Sequence, residues 1–196
     1  MASKLLDLGN GCGIELLYGA VSCTKAEFET ELDRFPNTRN PTVFGATTPR
    51  REVLYSANVG TTYSFSRKTL VAREPSPIAA RCLAFAQNTN AAYNTVLGNL
   101  YESGKDYVGH HSDDEPEHGA GAAVFGFSFG ATRTFQIKRS DKGSVVDGKQ
   151  YLNVELPHGS CVVMRGTQFQ GLFTHSIPKT AKVVGPRISF TARAFI

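Results

Sequence analysis

Two periodicities divide the chain. Near the start, Thr24-Lys25-Ala26-Glu27 has the pattern of a helix capping box, and Phe28, Leu32 and Phe35 follow at helical spacing. Pro36 and then Asn40-Pro41 end that helix. Ser76-Pro77 offers an N-cap and a first helical position, and Ile78, Cys82 and Phe85 give the second helix an apolar stripe. Residues 1–20 read as an irregular or short-strand entry, and residues 42–72 as short extended runs broken by turns. From Thr95 onward the spacing changes to that of strands. VLGNLY, YVGHHSD, VFGFSFG, TRTFQIK, QYLNVEL, SCVVMRG and RISFTARAF are the candidates, separated by Gly, Asp, Ser or Pro clusters. The stretch SDKGSVVDGK at 140–149 reads as a polar hairpin tip. Two helices followed by many short strands predict a mainly β fold: a double-sheet jelly roll with helices packed outside.

Composition narrows the class. The chain has 196 residues, enough for one domain with a sizeable core. Apolar residues make up 41% and charged residues 19%, which excludes a disordered chain. The longest apolar runs are too short to span a bilayer, and the N-terminus lacks a secretory pattern, so the expectation is a soluble intracellular protein. Cys12, Cys23, Cys82 and Cys161 form no C-x-x-C pair, which leaves zinc-ribbon and thioredoxin chemistry without support. A net charge of +4 permits a polyanionic partner without demanding one.

The chemistry gathers around His111-Ser112-Asp113. A histidine and a carboxylate two apart on a strand share a face. A distant histidine, His175, can complete two imidazoles and one carboxylate, a set that leaves coordination positions open and suits a non-haem ferrous oxygenase. The ordinary alternative is a surface pair, since H-x-D is frequent by chance. His110 points to the opposite face from His111, either lining a substrate opening or lying on the surface. Arg187, Ser189, Thr191 and Arg193 share one face of the last strand, with Ile188, Phe190 and Ala192 on the other. That polar face is either solvated or a seat for a dianion between two guanidinium forks. Asn99 and Tyr101 likewise share a face and offer an amide and a phenol. His158, in Leu-Pro-His-Gly, reads as a turn residue bonded to backbone.

These residues resemble the AlkB-type Fe(II)- and 2-oxoglutarate-dependent nucleic-acid demethylases. The resemblance runs from about Val43 to Phe195. It is carried by VFG at 43–45, TPR at 48–50, YSFS at 63–66, NLY at 99–101 and HSDDE at 111–115, then SFGATRTF at 128–135, LPHGS at 156–160, HSIP at 175–178 and PRISFTAR at 186–193. Each piece is weak alone, but their order and spacing are specific, and the branch that repairs duplex DNA is the most similar.

The resemblance implies one catalytic domain over 1–196. Residues up to about 94 would form an N-terminal extension and nucleotide lid, and the jelly-roll core would follow from about 95. It implies that His111, Asp113 and His175 bind Fe(2+), and that Asn99, Tyr101 and Arg187 hold the distal carboxylate of 2-oxoglutarate. Arg193 would pair with the carboxylate that chelates the metal. O2 is the third reactant. The implied outcome is oxidative demethylation of 1-methyladenine- or 3-methylcytosine-type bases, with release of formaldehyde, succinate and CO2.

On the substrate side the resemblance assigns Phe44 as a wedge that fills the gap left by a flipped base. Arg50, Tyr55, Tyr63 and Ser66 would belong to the lid, Asp114 and Glu115 would favour a cationic base, and Arg133 would line the pocket. Lys138, Arg139 and Lys142 are candidate phosphate contacts. Alternatives from the residues alone are a core phenylalanine at 44, half-buried strand tyrosines at 55 and 63, and a solvated acidic run at 114–117. The sequence departs from the family at Ser189, often Asn, at His110, often Trp or Glu, and in having no Trp. RNA is the alternative substrate. A binding module with a dead oxygenase fold has no need of the full ligand set, and a protein hydroxylase fits the lid segment less well. The nucleic acid is the expected partner of a monomer.

Overall fold

The strand-like half of the sequence closes into two facing antiparallel sheets. The fold is that of a computed structural model, and the residues described are 2–39, 49–65, 68–114 and 123–195. The first strands are β1 (Ala2–Gly9) and β2 (Cys12–Tyr18), followed by helix α1 (Lys25–Leu32). Next come β3 (Arg51–Ser56), β4 (Thr62–Phe65), β5 (Lys68–Val71) and helix α2 (Pro77–Gln87). The second half contains β6 (Thr95–Tyr101), β7 (Val108–His111), β8 (Val124–Gly130), β9 (Arg133–Arg139), β10 (Leu152–Leu156) and β11 (Ser160–Arg165). A short helix α3 (Phe169–Leu172) leads into β12 (Phe173–Ile177), and β13 (Arg187–Arg193) ends the order.

Seven strands form the major sheet in the order β1-β2-β11-β8-β13-β6-β3. Four form the minor sheet, β10-β9-β12-β7, and β4-β5 is a separate hairpin. This is the expected jelly roll. Both helices start where the sequence signals them: Thr24 accepts from the Glu27 amide within a complete capping box, and Ser76 caps α2 ahead of Pro77. The entry segment is more regular than expected. Residues 2–18 form a hairpin in register from Ala2↔Tyr18 to Asp7↔Gly13, and β2 adds it to the major sheet beside β11. The turn at Asn10 and Gly11 takes positive φ, which glycine supplies at little steric penalty.

The major sheet has two different faces. Toward the helices, Phe125, Phe127, Phe129, Cys161, Val163, Ile188, Phe190 and Ala192 pack with Ile78, Ala79, Cys82 and Leu83 of α2. Toward the minor sheet, Ile14, Leu16, Val162 and Met164 pack with Phe135, Ile137, Leu156, Phe173 and Ile177. Across the middle of this inner face the pairing Glu52↔Asn99↔Ser189↔Ser128 aligns four polar residues from β3, β6, β13 and β8. All four cysteines are free thiols, three of them buried. Among the described residues, no helix is long and apolar enough to cross a membrane.

Candidate active site

Between the two sheets lies a cavity of about 510 Å³, lined by β6, β7, β12 and β13 and covered on one side by the β4-β5 hairpin. His111 on β7 and His175 on β12 are register partners, so the ladder itself sets the two imidazoles opposite one another. Their ring centroids are 4.4 Å apart. Asp113 follows two residues after His111. Its carboxylate oxygens lie 3.9 Å from His111 Nε2 and 3.7 Å from His175 Nε2. One ligand atom from each of the three residues falls within a 4.8 Å cluster.

Their surroundings prepare these groups for a metal. His111 Nδ1 donates to the Gly109 carbonyl at 2.9 Å, which leaves the Nε2 lone pair facing the cluster. His175 is buried. Loss of hydration outweighs the pull of Asp113 and pushes its imidazolium down to about 3, so the ring is held in the neutral, metal-binding form. The Asp113 amide donates to Gln170 Oε1 at 2.9 Å, and Arg193 Nη2 donates to Asp113 Oδ1 at 2.5 Å. Two imidazoles and a carboxylate are a donor set that fits Fe(II) and leaves positions open.

The other end of the cavity is built for an anion. Arg187 is 1% exposed. Its Nε donates to Ser128 Oγ at 2.8 Å and its guanidinium lies 5.2 Å from the centre of the Tyr101 ring. Burial lowers its pKa to about 10, so it keeps its charge at neutral pH. Its Nη1 is buried with no hydrogen-bond partner among the described residues. A buried cationic N–H of this kind is costly unless a ligand satisfies it, and a carboxylate is the matching acceptor. Asn99, Tyr101, Arg187 and Arg193 all line the cavity, as do Ser189 and Thr191. The polar face of the last strand therefore looks inward and is not a solvated edge: β13 sits between β8 and β6 within the major sheet.

The substrate-side residues divide. Arg50 lines the cavity and donates to Asn99 Oδ1 at 2.7 Å. Tyr63 also lines it, and its hydroxyl accepts from Arg193 Nη1 at 2.8 Å. Tyr55 does not belong to the site. It is 1% exposed in the helix-side core, stacks edge-on against Phe190 and donates to Glu31 at 2.7 Å. Strand parity explains the correction: positions 50 and 55 are an odd number apart and face opposite ways. Arg133 is also corrected. It is buried behind Tyr101 and spends its donors on the carbonyls of Ser103, Asp106 and Pro178 at 2.7–3.1 Å. It shapes the loops at the cavity end and does not line it. Asp114 is exposed and off the cavity wall, as a solvated acidic residue would be. Phe44, Ser66 and Glu115 lie outside the described residues.

His110 hydrogen-bonds Gln136 at 3.1 Å across the minor sheet, and His158 bonds the Gly130 amide and the Cys23 carbonyl, the backbone role expected of it. Arg139, a candidate phosphate contact, is held by Asp141 at 2.8 Å and lies over Phe173. The sequence reading missed Ser128, which bonds Arg187, and Gln170, which holds the Asp113 amide. It also missed Glu52 and Lys68, which ion-pair beside Arg50. Only Glu52 carried a readable signal, its two-residue spacing from Arg50.

A family model for the 2OG-Fe(II) oxygenase superfamily matches residues 21–193. The chain belongs to this family. It is 31% identical over 196 residues to human DNA oxidative demethylase ALKBH2, covering 96% of this chain and 74% of that protein. It is 36% identical over 141 residues to bovine alpha-ketoglutarate-dependent dioxygenase alkB homolog 3, covering 67% of this chain and 47% of that one. Among solved structures, that of OsALKBH1 superposes with a TM-score of 0.64 at 16% identity, covering 97% of this chain and 99% of that one; this likeness concerns the fold alone. The oxygenase is of the AlkB type. It depends on Fe(II), 2-oxoglutarate and O2.

Proposed function

We propose that this enzyme oxidatively demethylates N-alkylated bases in DNA as a direct repair reaction. The observation that carries the reading is the pairing of a His111-Asp113-His175 cluster with the buried Arg187, whose Nη1 has no partner among the described residues, in one cavity. A module that only binds nucleic acid has no use for either. The similarity to proteins named DNA oxidative demethylase supplies the substrate class. When bound, the iron and 2-oxoglutarate supply a two-electron oxidation of the N-methyl carbon, with O2 as oxidant and succinate, CO2 and formaldehyde as products.

The chain's own residues do the rest. His111, Asp113 and His175 hold the metal. Arg187, Tyr101 and Asn99 take the distal carboxylate of 2-oxoglutarate. Arg193 supports the metal-side carboxylate from its place between Asp113 and Tyr63. Tyr63 and Arg50 form the part of the cavity wall nearest the lid, and Phe44 fills the stack when a base is extruded. The whole chain works as one domain and as a monomer.

The test is anaerobic loading with Fe(II), then aerobic incubation with 2-oxoglutarate and oligonucleotides. These carry 1-methyladenine or 3-methylcytosine in single-stranded DNA, duplex DNA or RNA. Mass spectrometry follows the methyl group. Loss that needs both iron and 2-oxoglutarate, greatest on DNA, is the expected result. Greatest loss on RNA moves the substrate, and no loss on any oligonucleotide overturns the reading. Phe44→Ala sharpens it: activity falls on duplex DNA and holds on single strands if the side chain is a wedge.

A further inference from the structure

Glu52 is a buried carboxylate beside the cavity, and the chemistry proposed above gives it no part. It sits on β3 directly opposite Asn99 of β6, on the same face. Its side chain is 0% exposed and takes ion pairs from Arg50 Nη2 at 2.9 Å and from Lys68 Nζ. Arg50 reaches in two directions: one nitrogen meets Glu52, while Nε donates to Asn99 Oδ1 at 2.7 Å.

Donor chemistry then fixes the Asn99 amide. A guanidinium has N–H donors and no acceptor, so only the oxygen of Asn99 can face Arg50. The amide nitrogen, with its two N–H groups, is therefore turned away from the guanidinium. Flipped, Asn99 would meet a co-substrate carboxylate with its oxygen, acceptor against acceptor. Asn99 is 8% exposed and lines the cavity together with Tyr101 and Arg187. Held as it is, it adds N–H donors to the phenol of Tyr101 and the Nη1 of Arg187.

We infer that Glu52 is a positioning residue for 2-oxoglutarate: by holding Arg50 against Asn99 Oδ1, it keeps the Asn99 amide donor turned toward the co-substrate. The inference rests on the assignment of Asn99, Tyr101 and Arg187 to the co-substrate carboxylate. Lys68 gives the device a second consequence. It opens β5 of the hairpin whose other strand carries Tyr63, so the hairpin is fastened to the barrel through Glu52 and through the Tyr63–Arg193 bond. Glu52 thus joins the lid side of the cavity to the co-substrate side.

The experiment measures binding of 2-oxoglutarate to Mn(II)-loaded protein by titration calorimetry, with no turnover. Glu52→Gln, Asn99→Ala and the double variant form a cycle. Glu52→Gln is expected to weaken binding about tenfold, the scale of one hydrogen bond to a charged group. The double variant is expected to bind no worse than Asn99→Ala alone, because Glu52 acts through that amide. An unchanged affinity in Glu52→Gln overturns the inference, and so do factors that multiply in the double variant. Arg50→Lys is the second variant, read in the same cycle if Glu52→Gln does not fold. It keeps the charge but removes the fork that spans both partners, and it must also lose its effect in the Asn99→Ala background. A wild-type protein that binds no 2-oxoglutarate overturns the co-substrate assignment itself, a failure distinct from that of the variants.

Discussion

Tyr55 and Tyr63 are each 1% exposed, yet their hydroxyls meet opposite charges. Tyr55, on the helix side of the major sheet, donates to the buried carboxylate of Glu31. Tyr63, on the cavity side, accepts from the buried guanidinium of Arg193. The helix face packs Tyr55, which binds Glu31, among phenylalanines and aliphatic side chains. The cavity face buries Arg187, Arg193, Asp113, Asn99 and His175 around open volume. The two faces of the major sheet come from the same strands, while His175 and Asp113 reach the cavity from the minor sheet and the residues after β7. On β13 the alternation of Arg187, Ser189, Thr191 and Arg193 with Ile188, Phe190 and Ala192 builds the site and the core at once. Buried polarity is therefore not evidence of function by itself. What separates the two faces is whether the buried charge is spent on a partner within the core, as Glu31 is on Tyr55, or faces open volume with a donor left over, as Arg187 does.

Substitutions on the two faces should fail in different ways. The largest effect falls on the metal cluster. Asp113→Ala abolishes Fe(II)-dependent succinate formation while circular dichroism reports an intact fold. Turnover that survives would remove Asp113 from the ligand set.

Arg187→Ala comes next. It takes away the buried cation that meets the co-substrate dianion, and losing one partner of such a pair costs about 2 kcal/mol or more, ~30-fold in affinity. The apparent requirement for 2-oxoglutarate should rise by at least that factor. An unchanged requirement would show that the anion sits elsewhere.

On the helix face the effects are on stability alone. Tyr55→Phe removes one hydrogen bond to a buried acid and should lower unfolding free energy by about 1–2 kcal/mol. The 2-oxoglutarate requirement should stay as in the unaltered protein. A raised requirement would return Tyr55 to the site.

The smallest effect is a pH dependence. Burial raises the Glu31 carboxyl above its ordinary value, despite hydrogen bonds from Ser76 and Tyr55 that favour the charged form. The folded state then holds this proton more tightly than the unfolded chain. Its contribution is full below the ordinary carboxylate range and is lost as pH rises through the raised value. Glu31→Gln should therefore gain stability relative to the unaltered protein as pH rises from the ordinary carboxylate range through the raised value. A gap that stays constant across that window would show that Glu31 titrates normally.

Much of the site could be read before any fold was known. The two-residue spacing of His111 and Asp113, the four polar positions of the last strand and the Asn99-Tyr101 pair all follow from strand parity, a local property. His175 was a candidate on donor chemistry, and resemblance to the family assigned it, and with it the reaction. Parity also sets Arg50 and Tyr55 on opposite faces, which PRREVLYS at 49–56 shows. The entry hairpin was harder to read, because ASKLLDLG and CGIELLY alternate poorly; β1 takes its register from β2, and β2 is set in the sheet by β11.

Alternation, caps and turn residues thus determined the elements, the jelly-roll class and the candidate ligands, since each depends on neighbours a few positions away. The tertiary structure alone decided which polar face of a strand met water and which met the cavity. It sent Arg133 to three loop carbonyls and set Glu52 opposite Asn99. Those choices depend on which strand lies beside which, and the contacts that fix the order join residues far apart in the chain. Strand parity names two faces; only the packed partner on each side says which is the inside.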